Sequence, residues 1–189
     1  MPDGLRSFPG CSVRGTVLEP YVRDFKSLAT EPSLPEAVAD LFAGKSTAPW
    51  VAETTFQVAY LAVRDLAFRD DAAFHRWVFA VNAELLDGPL IRHLVRLVSP
   101  TLVVLGAAKR WSHFHQGSDL VPGKVEAVGG RTLARSELRY PIGLFTECFL
   151  AGLEQAFLAA VTKARGKEPK VVVLRTEPGR TTYEASFRS

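Results

Sequence analysis

The sequence predicts an α+β fold: a helical N-terminal layer, then a four-stranded antiparallel sheet in the order strand, strand, helix, strand, strand. Three observations carry this. Up to Gly117, apolar residues recur at three- and four-residue spacing, the period of a helix face. After Gly117, two pairs of extended runs are each joined by a tight-turn dipeptide, Gly129-Gly130 and Pro178-Gly179. Between the pairs lies one strongly apolar stretch of helical length. A chain of 189 residues, 47% of them hydrophobic, suits one domain with a sizeable core. We read 1–189 as that domain, with a helical part over about 14–117 and a sheet-plus-helix part over about 118–189.

Within 14–29, RGTVL reads as a short strand or an entry turn, and Leu18, Val22, Phe25 and Leu28 then share a helix face, with Pro20 in the first turn. Ser33 is the expected N-cap of a helix that stops at Gly44, with Glu36 completing a capping box. Trp50 is expected to open a longer helix with a stripe of Phe56, Ala59, Tyr60, Val63 and Ala67. Asp70 caps the next, over 71–86, which turns Phe74, Trp77, Val78, Val81 and Leu85 inward. Gly88-Pro89 starts a short helix over 90–98, and Ser99-Pro100 starts another that runs to Gly117. The first hairpin pairs 120–128 with 131–140. A helix over about 142–164 follows Pro141 and should be buried on more than one face. The second hairpin pairs 171–176 with 181–188, where Tyr183, Ala185 and Phe187 alternate with polar residues and define a half-buried strand.

Composition removes several function classes. A net charge of +3 does not announce a nucleic-acid binder. No apolar run reaches the roughly 18 residues that span a bilayer; the best, 142–161, is interrupted by Glu147, Glu154 and Gln155. The opening MPDGLRSFPG has no apolar core segment, so a cytoplasmic location is expected. Cys11 and Cys148 are too far apart in sequence to suggest a metal knuckle or a redox pair.

Several pieces resemble a known family when taken in order: RGTVL, the long helix after Trp50, SPTLVVLGAAKRWSHFHQG, FTECFLAGLEQAF, and the closing VVVLRT and TTYEASF. The chain is similar to an uncharacterised family heavily duplicated in myxobacteria. That family's outline is in turn similar to sensory domains of the 4-vinyl-reductase and haem-nitric-oxide-binding types. The resemblance implies a ligand- or protein-binding module in bacterial signalling, and no known reaction. The chain departs from those relatives in two places. Tyr140 is followed by Pro-Ile-Gly-Leu in place of the Tyr-x-Ser-x-Arg motif that holds haem propionates, and the C-terminal half has Cys148 alone where vinyl-reductase-like domains carry several cysteines.

The residues point away from catalysis. Gly-x-Ser-x-Gly, His-Glu-x-x-His and a phosphate-binding glycine loop are absent. Cys148 lies among apolar neighbours, which raises a thiol pKa and makes it inert. His113 and His115 would chelate one ion from a strand, but on the helix assigned here they diverge by about 200°. One should then be half-buried with a hydrogen bond and the other solvated. No catalytic residue, metal site or cofactor is therefore expected. A haem- or metal-bearing sensor using His93, His113 or His115 is the alternative reading, and an enzyme on a vinyl-reductase-like scaffold the least favoured.

Two candidate surfaces remain. Trp50, Tyr60, Trp111, Phe114, His115, Phe145, Cys148 and Phe149 could line a pocket for a small apolar ligand between the helical layer and the sheet; solid core packing is the competing reading. Arg131, Arg135 and Arg139 fall on one strand face and, with Arg180 and Arg188, could orient a protein partner or a second copy at the sheet edge. The competing reading is a solvated face whose arginines pair with Glu126 and Glu184 across strands.

Overall fold

The computed structural model describes residues 4–45, 48–87 and 99–188. The helix expected over 90–98, and His93 with it, lie outside them. Among the described residues the chain runs β1 (Ser12–Arg14), α1 (Gly15–Asp24), α2 (Glu36–Phe42), β2 (Trp50–Ala52), α3 (Glu53–Ala67), α4 (Asp71–Leu86), α5 (Pro100–Leu105), α6 (Ala107–Phe114), β3 (His115–Gln116), β4 (Asp119–Val128), β5 (Arg131–Arg139), α7 (Glu147–Lys163), β6 (Lys167–Glu177) and β7 (Arg180–Arg188). The class is α+β as expected, and the four-stranded antiparallel sheet has the order β4-β5-β7-β6.

The strongest local signals place their elements well. Gly129 and Gly130 both have positive φ, 56° and 74°, which a two-residue turn matched to the strand twist requires. The Oδ1 of Asp70 accepts from the Ala73 amide and the Oγ of Ser99 from that of Leu102, each capping its helix. Tyr183, Ala185 and Phe187 are buried on the inner face of β7, and the Tyr183 hydroxyl donates to the Leu150 carbonyl at 2.9 Å, fastening sheet to helix.

A second, smaller sheet was not foreseen. β1 lies between β2 and β3, with Val13 opposite both Val51 and His115. Trp50 therefore belongs to a strand, and the long helix begins three residues later at Glu53. Strand pairing with β1 overrides the helical spacing there. β3 likewise takes His115 off the helix that was expected to continue to Gly117; α6 ends at Phe114 and His115 is extended. Gly117 follows that strand at φ 76°, against Cys11, where a Cβ would come within 2.5 Å of the sulfur.

Other boundaries move for local reasons. Pro20 lies inside α1 and not in its first turn, and the face of Phe25 and Leu28 continues as a 3-10 turn, Lys26–Thr30. Pro35, not Ser33, occupies the N-cap of α2, because the Ser33 hydroxyl donates to Glu31 at 2.6 Å instead. Thr146 caps α7, so 142–145 form a turn and Ile142 is exposed. Leu85, expected inward, is 37% exposed.

The main core joins α1, α3, α4 and α7. Tyr21, Phe56, Tyr60, Phe74 and Phe149 meet there largely edge-to-face, at centroid distances from 4.9 to 6.3 Å. No described helix is long and apolar enough to cross a membrane.

Candidate functional site

α6 presents Ala107, Arg110, Trp111 and Phe114 on one face, spaced three, four and seven residues apart. α7 opposes it with Leu153, Ala156, Phe157 and Ala160 at the same spacing. Asn82, Leu85 and Leu86 of α4, Val17 of α1 and Leu120 of β4 complete the walls. The half-open cleft between them holds about 190 Å³ and its lining is mostly apolar. A narrower chamber of about 70 Å³ adjoins it, sharing Val17, Asn82, His115, Leu153 and Ala156, and reaches inward to Tyr60 and Phe149.

His115 stands at the junction. Its ring lies flat on Trp111, with centroids 3.9 Å apart and planes 11° from parallel. Its Nδ1 is 3.0 Å from Oε2 of Glu53. Where Glu53 is a carboxylate, which only accepts, Nδ1 is the donor of this bond. Both side chains are buried, at 8% and 1% exposure. The amide of Gln57, itself fully buried, reaches the other Glu53 oxygen at 3.3 Å. Trp111 is held in turn by its indole N–H, which donates to Ser118 at 3.1 Å. The Trp111–His115 pair that lines the cavity is thus held from behind by buried hydrogen bonds. Two buried polar atoms of α3, the Tyr60 hydroxyl and Oε1 of Gln57, have no hydrogen-bond partner among the described residues.

The expected pocket residues divide. Trp111, Phe114 and His115 line the large cavity, and Tyr60 and Phe149 the small one. Phe145 supports from behind, edge-on to Trp111 at 6.4 Å. Cys148 and Trp50 line neither chamber. Burial pushes the Cys148 thiol up from its ordinary value and does the same to Cys11.

Glu53, Asn82 and Arg110 were not anticipated. Glu53 shares a helix face with Gln57 and Tyr60, and Arg110 shares one with Trp111 and Phe114. A charged residue on an apolar face was the available signal. For Glu53 it was masked by the ordinary preference of acids for a first helical turn.

The histidine expectation needs correction. The two do not share a helix: His113 is exposed within α6, while His115 is buried at its end in β3. Among the described residues, no group of three or more His, Cys, Asp and Glu side chains is placed to hold a metal ion.

The five arginines already hold carboxylates. Arg131 and Arg188 both meet Glu168 at 3.1 Å, Arg135 meets Glu184 at 2.9 Å, Arg139 meets Glu137 at 2.6 Å, and Arg180 meets Glu177 at 3.1 Å. Glu126, expected to pair with this face, pairs with Lys124 of its own strand. The outer edge strands are irregular as well. β6 breaks register at 167–170 and 173–175, and β4 at 122–125. Such bulges discourage pairing with another strand. No protein-family model, curated protein or solved structure matches the chain.

Proposed function

We propose that the chain is a non-catalytic regulatory module that binds a small apolar ligand between α6 and α7. The observation that carries this reading is the 190 Å³ apolar cavity over the flat Trp111–His115 pair. The volume of about 190 Å³ is below the roughly 300 Å³ of drug-sized sites but above the roughly 150 Å³ that takes up benzene, so it suits a ligand of one ring. Its walls come from both the helical part and the sheet-plus-helix part, so a ligand touches both and can bias how they pack. The basic sheet face is a weaker candidate, because its arginines are satisfied within the chain.

The test uses the full chain and a neutral probe, toluene, followed by tryptophan fluorescence and by thermal shift. Binding should be saturable, and Ala156→Phe, which fills space shared by both chambers, should abolish it while the circular dichroism stays native. Absence of binding to the wild type, or unaltered binding by the folded variant, would reject the cavity as a ligand site.

A further inference from the structure

Arg110 is out of place in an apolar wall. It is half-buried, and one guanidinium nitrogen donates to the Val103 carbonyl at 2.6 Å. Among the described residues it has no carboxylate partner. The arginines of the sheet face, by contrast, are all paired with carboxylates. A cation drawn out of water without a counter-ion is costly, and the cost falls when an anion joins it. The remaining N–H donors of the planar fork suit two carboxylate oxygens. Burial alone holds this guanidinium below the usual arginine range.

We propose that the cleft takes a small apolar monocarboxylate, with its carboxylate on Arg110 and its apolar body against Trp111, Leu153 and Phe157. This rests on the cleft being a ligand site. The geometry sets the class in three ways. The volume of about 190 Å³ exceeds the roughly 150 Å³ that encloses a benzene ring, leaving room for a ring and a short tail. Apart from Asn82 and His115, the walls away from Arg110 are aliphatic or aromatic, so a second charge would find few compensating groups. The inner chamber is lined by Tyr21, Phe56, Tyr60 and Phe149 rings among mostly apolar neighbours, so the ligand's far end should be apolar.

The probes are 3-phenylpropanoate and its neutral counterpart 3-phenylpropan-1-ol, titrated separately into the full chain by calorimetry. The acid should bind at least about tenfold more tightly, the scale of one charge-assisted contact in a partly buried site. Arg110→Gln should reduce acid binding to about the level of the alcohol, with a clearly smaller effect on the alcohol itself. Arg110→Lys should keep part of the preference. Equal wild-type affinities, or an acid preference that survives Arg110→Gln, would overturn the carboxylate assignment while leaving the cleft a site for neutral ligands. Failure of both probes to bind would overturn the cleft reading and this inference together. Should Arg110→Gln not fold, the acid-to-alcohol ratio of the wild type and of Arg110→Lys decides.

Discussion

Glu53 Oε2 and His115 Nδ1 lie 3.0 Å apart although 62 positions separate them, and their bond joins the first turn of α3 to β3. Glu53→Ala would leave a buried imidazole and Gln57 without their shared acceptor. A buried donor left without its acceptor typically costs about 1–3 kcal/mol, and two are left here. Glu53→Gln keeps a carbonyl acceptor and should cost clearly less. Urea unfolding of the two variants distinguishes them. A loss under about 1 kcal/mol for Glu53→Ala would mean that the pair adds little to the junction.

Phe187 is fully buried on β7 and Glu184 is on the opposite face, paired with Arg135. Phe187→Ala should cost about 3–5 kcal/mol. Glu184→Ala should cost under about 1 kcal/mol, because Arg135 is 43% exposed and the pair is screened. Comparable losses from the two would contradict the facing of the sheet.

The contrast between these two pairs shows what the sequence made legible. Strict alternation at Tyr183, Ala185 and Phe187 leaves one choice of buried face, so the strand and its facing could be read directly. The Gly-Gly turn and the Asp70 and Ser99 caps are equally local. The small sheet is not local. Three residues at 12–14 find partners at 50–52 and 115–116, and nothing at Trp50 or His115 announces so distant a neighbour. The pocket was half legible for the same reason. Its aromatic members stood out by type, whereas Glu53 and Arg110 gain their meaning from what the fold brings opposite them.

Gly152 allows Tyr60 to approach α7 closely, for a Cβ there would fall 1.7 Å from the Tyr60 hydroxyl oxygen. Gly152→Ala gains up to about 1 kcal/mol of helix propensity but must displace a buried ring, and overpacking of this kind costs about 1–3 kcal/mol. A net loss is expected. Tyr60→Phe removes a hydroxyl that has no partner and should be neutral or slightly stabilising. Gly152→Ala should then do less harm in the Tyr60→Phe background. A double-mutant cycle measures this coupling, and strict additivity would show that the contact is relieved some other way.

Asp24 supplies a pH-dependent element. Its hydrogen bonds from Arg23 at 2.6 Å and from the Trp77 indole at 3.0 Å hold its carboxyl below the usual range. The unfolded chain takes up this proton first as pH falls, so it binds more protons and folding weakens. The contribution is fully present above the ordinary aspartate value of about 3.9 and is lost as pH drops through the lower folded value. With Asp24 28% exposed, it should amount to less than about 1 kcal/mol. The stability gap between wild type and Asp24→Asn should therefore close as pH falls below about 4, with Trp77 emission shifting over the same interval. A gap that is constant with pH would show that the carboxylate charge is not what matters.

The order β4-β5-β7-β6 places the later-made strand β7 inside the sheet. During synthesis the first hairpin is complete at Arg139, but its inner neighbour begins only at Arg180. At about 5–20 residues per second, that delay is roughly two to eight seconds. Through that interval β5 presents a bare hydrogen-bonding edge, and α7 has no sheet partner for Phe157. The nascent chain is then at its most adhesive, more so than at any stage after release, and its yield in a cell should depend on elongation rate and on chaperones that shield extended segments at the ribosome.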